Sequence, residues 1–106
     1  MSMYMAELKK SIREYKLARH RVEKIAKKAY EQLRSTSVQC NEPRSYQGPG
    51  AAEWIDVGKK GTISIGERDK KFEYFTVFIP KRYEKKIDNV MKNLRIERCL
   101  FATPCT

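Results

Sequence analysis

A heptad pattern of apolar residues runs through the first third of the chain and limits its fold more than any other feature. The apolar positions recur at alternating steps of four and three residues: Met1, Met5, Leu8, Ile12, Tyr15, Val22, Ala26, Ala29 and Leu33. Arg19 interrupts the pattern between Tyr15 and Val22. No Pro or Gly occurs in residues 1–34, and most other positions hold Lys, Glu, Arg, Ala or Leu, which favour helix. The pattern predicts a single amphipathic helix over residues 1–35.

This helix is long for a chain of this size. About 35 residues at 1.5 Å each make a rod of roughly 50 Å, longer than such a domain is wide. We therefore expect part of the helix to pair with a second copy of the chain as a coiled coil, with Arg19 weakening the pairing. The predicted homodimer seam consists of Met5, Leu8, Ile12, Tyr15, Val22, Ala26, Ala29 and Leu33. A second apolar line beside the seam predicts that the helix also packs on its own domain: Tyr4, Leu17, Ala18, Ile25 and Tyr30.

The charge of the chain is strongly positive. Lys and Arg number 23 against 13 Asp and Glu, which gives a formal net charge of +10. Such a chain favours polyanionic partners, namely nucleic acid, an anionic membrane surface or an acidic protein, unless the charge serves only solubility. Opposite the seam lie basic residues that we call the cationic ridge: Lys9, Arg13, Lys16, His20, Lys24, Lys27 and Arg34. We predict that the ridge binds nucleic acid or an acidic partner protein.

The rest of the chain predicts a small sheet and a second helix. Residues 36–53 are rich in Ser, Asn, Pro and Gly and predict a loop. Residues 54–79 contain β-branched and aromatic runs separated by turn residues, which predicts a three-stranded antiparallel meander. Helical spacing returns in residues 80–94, and residues 95–106 predict a short fourth strand and a tail. The expected fold is one α+β domain (residues 1–106): a long N-terminal amphipathic helix, a three- to four-stranded antiparallel sheet and a second amphipathic helix.

Two stretches interleave basic and aromatic residues, a composition that suits single-stranded nucleic acid. Cations neutralise phosphates, and aromatic rings stack on bases. One stretch places Arg44 and Tyr46 in a mobile recognition loop, although a plain linker is an equal alternative. The other runs from Lys70 to Phe75 into the last strand of the meander, where aromatic residues also serve as core. Core packing is favoured for Phe72 and Phe75 and remains an open alternative for Tyr46 and Tyr74.

The sequence contains no recognisable catalytic or metal-binding constellation. His20 is the single histidine and has no Cys or Asp at ligand spacing. Glu67 and Asp69 lie among basic residues in a predicted turn, which favours solubility over acid–base chemistry. The cysteines are widely spaced, lack a CxxC pair and predict reduced thiols: Cys40, Cys99 and Cys105. We expect a protein that is not an enzyme and uses no metal, cofactor or small-molecule substrate.

These observations lead to two predictions of function. No apolar run approaches the ~18 residues of a membrane span, and the start of the chain lacks a secretory signal, so we expect a cytoplasmic protein with no membrane association. The first prediction is a small basic nucleic-acid-associated regulatory or accessory protein that acts as a homodimer. The alternative is an inhibitor or interaction protein that docks on a nucleic-acid-binding protein or nuclease complex and blocks it. The size, charge and element order are typical of small viral proteins from phages and of proteins from mobile elements.

Overall fold

The computed structural model describes residues 2–46 and 51–99, with side chains from residue 16 onward. Its elements are α1 (Ser2–Ser35), β1 (Arg44–Ser45), β2 (Ala52–Val57), β3 (Gly61–Arg68), β4 (Lys71–Val77), α2 (Lys81–Asn93) and β5 (Ile96–Arg98). The strands form one sheet in the order β1-β2-β3-β4-β5. The α+β class and the two helices are confirmed, and the helices lie in the stretches where periodicity predicted them.

The sheet is mixed and five-stranded, so the prediction of three to four antiparallel strands is wrong. β1 lies inside the predicted loop and pairs antiparallel with β2. Two residues are too few to produce a periodic pattern, which is why the sequence does not reveal this strand. β5 pairs parallel with β4 because α2 lies between them and returns the chain to the same end of the sheet.

The hydrophobic core lies between the two helices and one face of the sheet. Every second residue of β2 is buried, which is the alternation expected of a strand covered on one face. The core receives fully buried side chains from the sheet and from both helices: Ile55, Val57, Ile63 and Ile65 from the sheet, Ala26, Ala29 and Leu33 from α1, and Ile87 and Met91 from α2. Both helices therefore cover the same face. No described element covers the opposite face, which we call the open sheet face.

The buried side of α1 includes half of the predicted dimer seam. Val22, Ala26, Ala29 and Leu33 are each 0% exposed within the single chain. Ala26, Ala29 and Leu33 pack in the core with side chains of the sheet and α2, which supply the apolar partner that a second helix would otherwise provide. All four side chains are already buried and are not available to another copy in this fold. Ile25 and Tyr30 of the second apolar line pack partly against the core, as predicted. The other seam residues lie in the part of α1 whose side chains are outside the description: Met5, Leu8, Ile12 and Tyr15.

α1 is much longer than the sheet on which it packs. Arg21 donates two hydrogen bonds to the Glu67 carboxylate, 2.9 and 2.8 Å, near the end of β3. The segment from Arg21 to Leu33 is about 18 Å long, and the segment of β3 from Glu67 to Gly61 is about 20 Å long. This part of α1 therefore matches the length of the strand. The molecule measures 56 × 26 × 23 Å, and the 34-residue helix accounts for the long dimension. Residues 2–20, which we call the N-terminal extension, therefore run about 28 Å past the sheet.

The cysteines differ from the prediction of reduced thiols. Cys99 is disulfide-bonded, whereas Cys40 is a free thiol whose pKa is raised by burial. Cys105 lies outside the described residues. Whether two cysteines form a disulfide depends on the distance between their Cα atoms in the fold. The spacing of cysteines along the chain does not give this distance.

Candidate nucleic-acid interface

The cationic ridge lies on the solvent side of α1. All of its members with described side chains are exposed: Lys16, His20, Lys24, Lys27 and Arg34. Packing of the Val22–Leu33 stripe against the sheet turns the opposite side of the helix to solvent, because the two sets of residues are half a helical turn apart. Lys9 and Arg13 belong to the N-terminal extension, where side chains are outside the description.

The ridge keeps its positive charge because no acidic side chain in the described part of the chain pairs with it. The described ion pairs of α1 join Arg19 to Glu23 and Arg21 to Glu67, and none of these residues belongs to the ridge. Arg34 donates a 3.1 Å hydrogen bond to the hydroxyl of Tyr30, which is uncharged. Lys16, Lys24, Lys27 and Arg34 of the ridge are therefore cations without an acidic partner among the described residues, and such a surface attracts anions more strongly than a helix neutralised by its own Glu residues.

The outer face of α2 adds further cations beside the ridge. Its exposed basic residues are Lys81, Arg82, Lys85, Lys86 and Lys92. Glu84 and Asp88 are the acids of this helix, and Asp88 already accepts a 2.7 Å hydrogen bond from the hydroxyl of Tyr74. Because α1 and α2 contact each other on one face of the sheet, their outer surfaces join. We call the combined surface the cationic helix layer. The α2 cations are not among the predicted site residues, because the whole sheet separates the two helices in sequence.

The open sheet face has a different chemistry. Strand register places four side chains in one row across β1 to β4: Arg44, Trp54, Ser64 and Phe75. Trp54 and Phe75 are half-buried in this row, so Phe75 is not a residue of the main core. Phe72 and Tyr74 behave differently, because Tyr74 is buried in the core and Phe72 packs against it.

Contacts with β2 hold Arg44 and Tyr46, which were predicted to lie in a mobile loop. The guanidinium of Arg44 lies 4.7 Å from the ring centroid of Trp54 and donates its Nε to Asp56 Oδ2 at 3.0 Å. The ring of Tyr46 lies 5.3 Å from that of Trp54, and its backbone N donates to the carbonyl of Ala52. These partners belong to β2, the neighbouring strand. The Gly- and Pro-rich sequence around Arg44 therefore could not predict them. Trp54 is the anchor that the predicted site omits.

Charges on the open sheet face largely offset one another. The Arg44 guanidinium holds the pKa of Asp56 below its ordinary value through hydrogen bonds, and Thr62 donates a further bond to Asp56 at 3.3 Å. Strand alternation also places Arg68, Lys71 and Glu73 on this face, so three cations stand against two carboxylates. The molecule thus presents a strongly cationic surface on its helices and a nearly neutral, partly aromatic surface on its sheet.

A shallow cleft of about 430 Å³ lies where β5 meets the C-terminal half of α2. Tyr74 lines it, and burial together with the hydrogen bond to Asp88 raises the pKa of the Tyr74 hydroxyl. The cleft also contains Lys92, Arg95 and Arg98, and Arg98 lies 3.8 Å from Asp88. Since Asp88 and Glu97 offset part of this charge, the cleft is less cationic than the helix layer.

No protein-family model, curated protein or solved structure matches this chain. Within residues 2–46 and 51–99, no group of the His, Cys, Asp and Glu side chains described from residue 16 onward is arranged to hold a metal ion. Nor does any helix in the same ranges have the length and apolar character needed to cross a membrane. The surfaces described above are therefore the basis for a proposal of function.

Proposed function

We propose that this protein binds nucleic acid through the cationic helix layer. The observation that supports the proposal is that the described lysines and arginine of the ridge have no acidic partner among the described residues and lie beside the exposed cations of α2. Each cation that meets a phosphate releases condensed counterions, which favours binding without any need for base-specific contacts. The protein then acts as an accessory or regulatory factor that covers or organises the nucleic acid.

The geometry of the ridge suits an extended polyanion. Ridge residues three and four apart on α1, such as His20, Lys24 and Lys27, are about 5–6 Å from one another along one side of the helix. A nucleic-acid backbone offers negative charge at comparable short intervals over a long distance, which an acidic patch on a globular protein seldom does. A helix of 34 residues can therefore follow several phosphates in succession.

We also propose that the protein works as a homodimer, with the pairing confined to the N-terminal extension. The remaining seam positions keep heptad spacing in the sequence, and the helix continues past the sheet. These positions are Met5, Leu8, Ile12 and Tyr15. Two heptads bury less apolar area than the full seam would, so we expect a weaker dimer than the complete heptad pattern predicts.

The test is a pair of charge-reversal variants with equal effects on net charge. Lys24→Glu with Lys27→Glu alters the ridge, whereas Arg68→Glu with Lys71→Glu alters the sheet side at a cross-strand pair that is already like-charged. Affinity for labelled single-stranded and duplex DNA is measured by fluorescence anisotropy over a range of salt concentrations. The ridge variant should bind more weakly, and its slope of log K against log salt should be shallower by about 1.4–1.8 for two lost contacts. Equal loss in both variants, or no micromolar binding by the wild type, would contradict the proposal.

Docking on a nucleic-acid-binding protein or nuclease complex is the second candidate function, and the open sheet face favours it. Trp54 contacts both Arg44 and Tyr46 there, and these residue types are common among the energetic anchors of protein interfaces. The nearly neutral charge of this face also suits a protein partner better than a phosphate backbone. A wild-type protein that binds neither single strands nor duplex would favour this candidate. A Trp54→Ala variant would then be expected to lose the partner.

A further inference from the structure

Phe78 is a large apolar residue that is not part of the hydrophobic core. Its side chain is 79% exposed, compared with 53% for Leu17 and 41% for Val77. Its φ of 52° lies in the left-handed region, which bulky side chains avoid because Cβ crowds the backbone. The other non-glycine residues with positive φ in the described ranges are polar: Ser37, Asp69, Lys70 and Arg95. Exposure and backbone strain both disfavour Phe at this position, which indicates a role other than folding.

The backbone around Phe78 is tightly held although its ring is exposed. Thr62 pairs with Val77, so Gly61 lies opposite Phe78 at the end of the β3–β4 ladder. A Cβ on Gly61 would come within 2.9 Å of the Phe78 carbonyl oxygen, so the two backbones approach as closely as only glycine permits. Pro80 follows directly before α2 and lies close to Gly58 of the β2–β3 turn. The exposed ring is therefore presented from a fixed position.

Cations surround this end of the sheet. Lys59 and Lys60 lie in the turn between β2 and β3, and both are exposed. This turn leads directly into Gly61, the residue opposite Phe78. Lys81 and Arg82, also exposed, begin α2 three and four residues after Phe78. The ion pairs found among the described residues involve none of these four, and Glu84 is the acid of the first turn of α2.

We propose that Phe78 is a base-stacking residue for single-stranded nucleic acid, with the surrounding cations in contact with the flanking phosphates. This inference rests on the proposed nucleic-acid function and deepens it by naming the class of ligand. One ring flanked by cations matches an unpaired nucleotide, whose base has a free face and whose phosphates are nearby. A base inside a duplex is already stacked on both faces and cannot reach the ring.

Two other occupants fit the site less well. Protein interfaces bury their aromatic anchors among packed neighbours, whereas burial of Phe78 would also require four exposed cations at the same end of the sheet to lose water: Lys59, Lys60, Lys81 and Arg82. Stable insertion into a membrane surface needs a broad apolar helix face, whereas here a single ring with Val77 beside it protrudes. A single-stranded nucleic acid requires only the ring and the cations.

The experiment compares Phe78→Asn with Phe78→Trp. Asn tolerates the left-handed backbone, so the ring is removed without a folding defect, and Trp retains a stacking surface. The probes are a short labelled oligothymidylate and a labelled duplex of the same length. We expect Phe78→Asn to lose about 5- to 100-fold in affinity for oligothymidylate, with little change for the duplex. Phe78→Trp should bind like the wild type.

The outcomes separate this inference from the proposed function. If Lys24→Glu with Lys27→Glu weakens binding to both probes while Phe78→Asn binds oligothymidylate normally, the stacking role is overturned and the proposed function stands. Equal losses on both probes with Phe78→Asn would also overturn the stacking role. So would ring-dependent binding to vesicles containing phosphatidylserine without measurable affinity for oligothymidylate. If the ridge variant binds both probes normally, the helix-layer proposal fails, whatever Phe78→Asn does.

Discussion

The guanidinium carbon of Arg44 lies 4.7 Å from the ring centroid of Trp54, its direct partner across β1 and β2. The same guanidinium donates to both carboxylate oxygens of Asp56, at 3.0 and 3.3 Å. These side-chain contacts act together with the backbone hydrogen bonds of Tyr46 to Ala52 and of Asn41 to Asp56 to hold β1 on the sheet. The relationship also makes the edge of the sheet sensitive to acid.

The stability of the protein should fall at acidic pH in a way that depends on Asp56. The hydrogen bonds from Arg44 lower the pKa of Asp56 in the folded state. Stability from this ion pair is therefore complete above the unfolded pKa of about 3.9 and is lost as the pH falls through the lower folded value. We expect Asp56→Asn to be less stable than the wild type at pH 7 and the difference to shrink below about pH 4. Urea midpoints measured across this range are the check, and a difference that grows toward low pH would contradict the assignment.

Truncation of Leu33 should show that the C-terminal half of the seam is core. Leu33 is 0% exposed within one chain, whereas Leu17 on the same helix is 53% exposed. Leu33→Ala should lower the free energy of unfolding by about 2–5 kcal/mol because it leaves a cavity. Leu17→Ala is the matched control and should change it by less than about 0.5 kcal/mol. Equilibrium urea unfolding at several protein concentrations measures both. A loss for Leu33→Ala that disappeared at low protein concentration would place this side chain in a dimer interface instead.

Dimerisation should depend on the N-terminal extension alone. Leu8→Asp with Ile12→Asp should give a monomer that still unfolds cooperatively in urea, because these positions precede the part of α1 that contacts the sheet. Ala26→Asp should instead unfold the domain, because it puts an unpaired charge into the core. Sedimentation velocity at tens of micromolar distinguishes the species. A wild type that sediments as a monomer at every concentration would remove the homodimer from the proposed function.

Replacement of Phe78 by Asn should make the protein more stable. The left-handed backbone at Phe78 costs an L-residue on the order of 1–2 kcal/mol, and Asn recovers part of this cost. Removal of the ring should cost little stability, because Phe78 is 79% exposed and its ring makes few packing contacts to lose. We expect a gain of about 0.5–1 kcal/mol in the free energy of unfolding, measured by urea titration. A clear loss would mean that the ring packs against the fold in solution, and the case for a role in binding would weaken.

Local features of this protein could be predicted from the sequence because their causes are local. Helix hydrogen bonds join residues four apart, so the heptad spacing of α1 and the spacing of Tyr83, Ile87, Val90 and Met91 in α2 were sufficient to locate both helices. The same spacing predicted a ridge of cations opposite the apolar stripe, and its described members are exposed. The three central strands could be recognised from β-branched and aromatic runs between glycine-containing turns.

Contacts between distant segments decided the rest. The heptad stripe predicts an apolar partner for α1 but not its identity, and in the fold the sheet takes the place of a second helix from Val22 to Leu33. Trp54 joins Arg44 only through strand pairing, and the α2 cations join the ridge only because both helices cover the same face. The strain at Phe78 arises where the chain leaves β4 beside Gly61. None of these relationships has a periodic signature, because each depends on where the backbone returns in space and not on the spacing of residues along the chain.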